Sequence, residues 1–99
     1  MPATNDPNLF VLVSLAAGPR HGHAILLDVE AFAGVRLGPG TLYGAIGRLE
    51  ADGLIEPMAN EGRRRPYRLT DRGRTSLAGR LHGLNDAVQT GLRRIEAAS

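Results

Sequence analysis

The chain has 99 residues, of which 42% are hydrophobic and 22% charged, a composition typical of one globular domain rather than a disordered segment. It contains no cysteine, which excludes disulfide bonds and thiolate metal sites. The longest nearly apolar run, Leu9 to Ala17, is much shorter than the roughly 20 residues that a membrane-spanning helix needs. No basic segment of a signal peptide precedes it. We therefore expect a soluble, unexported protein of the cytoplasm with no membrane partner.

The positive charge is concentrated in one short segment. All twelve basic residues are arginine, and six of them lie between Gly62 and Arg74 with a single acid, Asp71. That segment carries a net charge of +5, whereas the whole chain carries +2, so the remainder carries −3. A positive pole on a slightly acidic body suits phosphate binding. A solvated charge run is the alternative explanation.

The first predicted elements are a loose arm and an apolar helix. Met1 to Pro7 is polar and contains two prolines, which favours an arm without regular structure. A helix is predicted from Asn8, as N-cap, to Ala17, because Gly18 and Pro19 then stop it. This helix is apolar on nearly every side and must be buried on every side. We therefore expect Phe10 and Val13 to need a partner surface.

Two amphipathic helices follow. The segment HGHAILLDVEAFAG predicts a second helix that ends at Gly34, with an inward stripe of Ile25, Val29 and Phe32. A third helix is predicted from Gly40 to Asp52, and its inward stripe consists of Leu42, Ala45, Ile46 and Leu49. Three helices joined by short turns that contain glycine form a helix-turn-helix unit.

A hairpin and a long helix complete the chain. Residues 54–59 and 66–70 flank an arginine-rich loop at 60–65, which predicts a two-stranded β-hairpin with a basic tip. Thr70 is the predicted N-cap of the last helix, whose apolar residues recur every three or four positions: Leu77, Leu81, Leu84, Val88, Leu92 and Ile95. The predicted fold is therefore mainly α, with a winged helix-turn-helix domain at 8–70 and a dimerisation helix at 71–98.

Three segments resemble the PadR-like family of bacterial regulators, especially its short members with a single C-terminal helix. They are LAAGPRHGHAILLDVE, GPGTLYGAIGRLEADGLIE and GRRRPYRLTDRG, and they follow one another between Leu15 and Gly73. The resemblance implies a dimeric repressor whose third helix enters the major groove of DNA. It also implies that the hairpin, as a wing, contacts the flanking DNA backbone.

The outward face of the third helix is the predicted reading surface, and it carries Thr41, Tyr43, Gly44, Gly47 and Arg48. Hydroxyl groups near a helix N-terminus suit phosphate, and an arginine suits a guanine edge or the backbone. The alternatives are a Tyr43 ring folded back onto the domain and glycines that are simply tolerated in a well-packed helix. His21 is equally compatible with a capping role. The predicted DNA-contacting set is Arg20, His21, Thr41, Tyr43, Gly44, Arg48, Arg63, Arg64, Arg65 and Tyr67.

The sequence predicts no enzyme, metal site or cofactor. Its three histidines do not form H-E-x-x-H spacing, and no catalytic triad or phosphate-binding loop is present. We expect a homodimeric repressor of an inverted-repeat operator, released by a small ligand bound between the protomers. The predicted dimer contacts are Phe10, Val13, Leu81, Leu84, Val88 and Ile95. The alternatives are a winged-helix module that docks another protein and a ligand sensor that binds DNA weakly.

Overall fold

The computed structural model describes residues 6–99, so most of the arm predicted at Met1 to Pro7 lies outside the described residues. Four helices and three strands follow in chain order: α1 (Pro7–Leu15), β1 (Arg20–His21), α2 (Gly22–Ala33), α3 (Pro39–Ala51), β2 (Ile55–Pro57), β3 (Pro66–Leu69) and α4 (Asp71–Ala98). The predicted mainly α fold, with three helices, a β wing and a long last helix, is confirmed.

The helix ends show how local chemistry sets the boundaries. The N-cap of α1 is Asp6 rather than Asn8, since the Asp6 carboxylate accepts a hydrogen bond of 3.1 Å from the Leu9 N–H. The predicted ends are confirmed at Gly34, which has a left-handed φ of 67°, and at Thr70. The Thr70 hydroxyl accepts from the Gly73 N–H at 3.0 Å and donates to the Gly53 carbonyl at 2.7 Å.

The sheet has three strands, so the prediction of a two-stranded hairpin was incomplete. The strand order is β1-β3-β2, and Arg20 pairs with Tyr67 while His21 pairs with Pro66. A two-residue strand has no detectable sequence period, which is why the sequence places these residues at the turn before the second helix and not in a strand. Pro66, which lacks a donor, lies at the first position of β3, where the ladder begins.

The core lies between α1, α2, α3 and the sheet. It includes both Ile25 and Val29 of the predicted α2 stripe, and all four residues of the α3 stripe. Phe10 is only 7% exposed and packs edge-to-face on Phe32, with 6.1 Å between ring centroids. The prediction that Phe10 needs a partner surface is therefore wrong, because α2 covers it. Val13 packs partly buried against the same core, whereas Phe32, predicted to face inward, is 46% exposed.

Helix α4 extends well beyond the rest of the fold. Only Gly73 and Leu77 of its 28 residues are buried, and the longest dimension of the described chain is 57 Å. Its large apolar residues beyond Leu77 form an exposed stripe, the α4 stripe, consisting of Leu81, Leu84, Val88, Leu92 and Ile95. Within residues 6–99, no helix combines the length and the apolar character that crossing a membrane requires.

Candidate nucleic-acid interface

The outward face of α3 combines exposed side chains with two glycines. Thr41, Tyr43, Gly47 and Arg48 are exposed and Gly44 is half-buried, as the apolar stripe on the other side predicts. Tyr43 and Arg48 lie about 140° apart around the helix axis at 3.6 residues per turn. Between these two side chains the surface carries Gly44 and Gly47. The Arg48 guanidinium lies 3.4 Å from a Cβ placed on Gly44, whereas nothing lies within 4 Å of one placed on Gly47. A partner can therefore approach α3 closely at Gly47.

Arg48 and Arg20 are both engaged by other parts of the chain. The Arg48 Nη2 donates to the Asn8 side-chain oxygen at 3.1 Å, which turns the guanidinium towards α1. The Arg20 Nε donates to the Ser14 carbonyl at 3.2 Å and so connects β1 to the end of α1. Both residues therefore have structural contacts that the sequence did not reveal, and Arg20 is half-buried.

The Tyr43 ring is partly folded back onto its own domain and partly exposed on the outward face of α3. Its hydroxyl end lies against the first turn of α2, at Gly22. The side chain nevertheless remains 54% exposed. The ring therefore packs on its own domain at its hydroxyl end, while more than half of the residue stays exposed.

The wing turns tightly at its arginine-rich tip. Glu61 and Arg64 exchange backbone hydrogen bonds of 2.7 and 3.0 Å across the turn. Gly62 adopts a φ of +63°, a conformation that glycine reaches without steric cost. The wing arginines, Arg63, Arg64 and Arg65, are all exposed. Within the described chain, the ion pairs involve Arg36, Arg68 and Arg80 but none of the wing arginines.

His21 caps α2, which is the capping role considered for it as an alternative. Its Nδ1 accepts a hydrogen bond of 3.3 Å from the Ala24 N–H. Neutral imidazole has one acceptor nitrogen, so in the tautomer that forms this cap the ring hydrogen lies on Nε2. The Nε2 lies 3.3 Å from Nη1 of Arg64, and the guanidinium is also only a donor. Arg64 can therefore hydrogen-bond to Nε2 only in the other tautomer of His21, in which Nδ1 does not accept from Ala24.

Tyr67 remains a protonated donor in these surroundings. Burial raises the pKa of its phenol, and the Glu50 carboxylate raises it further, while Arg65 acts in the opposite direction. The ring borders a hollow of about 230 Å³, here called the Tyr43 hollow, which is lined by His21, Gly22, His23, Tyr43, Arg63, Arg64, Arg65 and Tyr67.

The Tyr43 hollow brings together six of the ten residues predicted to contact DNA. Thr41, Gly44, Arg48 and Arg20 do not line it. Gly22 and His23, which do line it, were missed by sequence reasoning. The available signal was their position directly after His21 at the start of α2, where backbone N–H groups are free.

Most of the chain matches the model of one known protein family. The family model described as "Transcriptional regulator PadR-like family" matches residues 11–79, which include α2, α3, the wing and the start of α4. The chain belongs to the PadR-like family. Members of this family are transcriptional regulators, so the protein is a regulator and not an enzyme.

Two curated relatives are similar over most of the chain. "Transcriptional regulator Rv3488" of Mycobacterium tuberculosis is 53% identical over 84 residues, covering 82% of this chain and 78% of that protein. An uncharacterized 37.1 kDa protein in transposon TN4556 of Streptomyces fradiae is 49% identical over 81 residues. That alignment covers 82% of this chain but 24% of the transposon protein, so the chain spans about a quarter of that relative's length.

The fold is also that of solved PadR proteins. A PadR family transcription regulator from Clostridium difficile R20291 superposes with a TM-score of 0.81 over 90% of this chain and 97% of that chain. The two sequences are 20% identical. This likeness confirms the winged fold and the long C-terminal helix of the PadR-like chain.

Proposed function

We propose that this PadR-like chain is a homodimeric repressor that binds an inverted-repeat operator on double-stranded DNA in the cytoplasm. The observation that carries the proposal is the Tyr43 hollow. There, three exposed wing arginines, the His21 imidazole and the Tyr43 ring lie around one surface beside the exposed face of α3. Donors for phosphate thus adjoin a helix that allows close approach to base edges at Gly47.

The charges at the wing favour DNA over a protein partner. Single arginines are also common at protein interfaces, but a net charge of +5 between Gly62 and Arg74 is a concentration of positive charge that suits a polyanion. Here the tip consists of exposed arginines, whose planar fork suits phosphate oxygens. The acid Glu61 lies at the same turn, but its carboxylate forms no ion pair with the wing arginines among the described residues.

The α4 stripe supports a second copy of the chain as its occupant. Its five apolar side chains are between 41% and 66% exposed, and their spacing of three and four residues is that of a helix seam packing on another helix. Two identical stripes related by a two-fold axis would cover each other. A two-fold dimer also presents two copies of α3, which is why we propose an inverted repeat as the operator.

The proposed dimer represses transcription and is released from DNA by a ligand. A dimer bound over a promoter would exclude RNA polymerase and so repress transcription. Repression is also what the family resemblance implies. A small ligand bound between the protomers would change the spacing of the two α3 helices and release the operator.

The proposed function is tested by comparing two kinds of variant on two DNA duplexes. Arg63→Ala with Arg64→Ala should weaken binding to operator and random-sequence duplexes alike. It should also flatten the slope of log affinity against log salt by about 0.9 for each phosphate that is no longer neutralised. Tyr43→Ala should instead reduce the difference in binding free energy between the operator and the random-sequence duplex. The reduction should be roughly 1 to 3 kcal/mol if the side chain reads a base, with little change in the salt slope.

The matched control is Arg93→Ala with Arg94→Ala, which removes the same charge from exposed positions on α4. Its salt slope should equal that of the wild-type protein. If this α4 variant and the wing variant lose affinity equally, binding depends on net charge alone. In that case the wing is not the part of the protein that binds DNA.

A further inference from the structure

Tyr43 occupies the space that a side chain at Gly22 would fill. A Cβ atom placed on Gly22 would lie 2.5 Å from the Tyr43 hydroxyl oxygen, 2.9 Å from Cζ and 3.0 Å from Cε1. Non-bonded carbon atoms normally approach to about 3.5 to 4.0 Å. The end of the phenol therefore fits against α2 only because residue 22 has no side chain.

The backbone at Gly22 gives no other reason for glycine. Gly22 is the first helical residue of α2, and it is not among the glycines with positive φ. Alanine is favoured over glycine in a helix. The conflicting atoms belong to the far end of a half-exposed side chain rather than to backbone. A methyl group at residue 22 would therefore displace Tyr43 and leave the fold intact.

The position of the phenol matters because of its neighbours. Gly22 directly follows His21, which pairs with Pro66 in the sheet and whose ring lies 3.3 Å from Arg64. The contact with Gly22 consequently holds Tyr43, a residue of α3, at a fixed place beside the wing. The Tyr43 side chain therefore lies between the exposed surface of α3 and the surface that carries the wing arginines.

We propose that Gly22 is the positioning residue for Tyr43 and thereby helps to set the sequence preference of the protein. The inference rests on the proposed DNA-binding function. Gly22 itself contacts the ring and contributes no side chain to DNA. Its effect on binding must therefore pass through Tyr43.

The geometry is tested first without DNA, by nuclear magnetic resonance on the full chain. The protein has two tyrosines, so a Tyr67→Phe variant assigns the ring signals of Tyr43. Nuclear Overhauser effects are expected between the Tyr43 ring and the Gly22 α-protons. In Gly22→Ala the Tyr43 ring signals should shift towards those of an exposed tyrosine, while the melting temperature stays equal or rises.

The functional consequence is tested with a double-mutant cycle. Wild type, Gly22→Ala, Tyr43→Ala and the double variant are titrated with a duplex that the wild type selects from random sequences, and with a scrambled duplex of equal composition. Gly22→Ala should reduce the ratio of the two affinities about tenfold, within the range that one base-reading side chain supplies. In the Tyr43→Ala background the same substitution should have no effect. Gly79→Ala, where a Cβ meets nothing within 4 Å, is the control and should bind as wild type.

Three results would overturn the proposal. One is that Gly22→Ala leaves the ratio of the two affinities unchanged although Tyr43→Ala lowers that ratio. Another is an equal loss from Gly22→Ala in both backgrounds, which would mean that residue 22 acts independently of Tyr43. The third is the absence of a Gly22–Tyr43 contact in the free protein. Failure of the wild type to select any duplex would instead refute the proposed DNA-binding function, and the resonance measurement distinguishes that case.

Discussion

Asp6 joins the first and last helices at a single carboxylate. One oxygen caps α1 through the Leu9 N–H, and the other accepts a hydrogen bond from the Arg80 guanidinium on α4. Burial alone raises the pKa of Asp6, but the hydrogen bond and charge of Arg80 and the backbone N–H donors lower it by more, so the net pKa lies below its usual 3.8. The ionised carboxylate is thus the form that the fold stabilises.

The lowered pKa of Asp6 predicts a loss of stability in acid. The contribution of Asp6 is complete above its unfolded-state pKa and disappears as the pH falls through the lower folded-state value. In Asp6→Asn, which retains a capping oxygen without the charge, the free energy of unfolding should fall less steeply below about pH 4. Urea denaturation of both proteins from about pH 6 to about pH 3 measures this. Arg80→Gln should remove part of the same pH dependence, and parallel curves for all three proteins would contradict the assignment.

Gly73 is required by close contact with backbone rather than by its own conformation. A Cβ on Gly73 would lie 1.9 Å from the carbonyl oxygen of Leu54, which already accepts the Thr70 N–H at 3.1 Å. Gly73→Ala must therefore move α4 away from the start of β2, and should lower the free energy of unfolding by about 1 to 3 kcal/mol or more. Gly79→Ala on the same helix should raise it by up to about 1 kcal/mol. Equal effects in chemical denaturation would refute this contact.

Sequence periodicity predicted the helices that extend over several turns. The apolar stripes of α2, α3 and α4 are long enough to predict helices, and the α3 stripe is buried throughout, whereas Phe32 of α2 and the α4 stripe are exposed. Gly34 and Thr70 mark helix ends by local chemistry. The two residues of β1 are too short for any period. An all-apolar α1 does not indicate which neighbour covers which residue, so the sequence leaves Phe10 without a partner although Phe32 packs on it.

The candidate site was predictable only in part, for the same physical reason. Exposure of the α3 face and of the wing arginines follows from local pattern and from the charge of the segment. The contacts that place individual side chains join residues distant in sequence: Arg48 with Asn8, His21 with Arg64, and Tyr43 with Gly22. Such pairings depend on tertiary packing, which a single sequence does not encode in any short spacing.

At the scale of the whole molecule, the exposed α4 stripe predicts the oligomeric state. Leu84→Glu with Val88→Glu would place two charges in the proposed seam, where burial without a partner is costly. Sedimentation should then show a dimer for the wild type and a monomer for this variant. The control, His82→Glu with Ala97→Glu, alters exposed residues on the opposite side of α4 and should remain a dimer. A monomeric wild type would refute the proposed interface. Dissociation of the control variant as well as the seam variant would also refute it.

A two-fold dimer that reads DNA through two α3 helices must prefer symmetric sites, and selection of bound duplexes from a random-sequence library with the full chain measures that preference. The enriched sequences should form an inverted repeat whose half-sites are centred about one helical turn, roughly 10 base pairs, apart. Enrichment of an asymmetric single site would contradict the two-fold arrangement, and a library that stays unenriched would contradict sequence-specific binding itself.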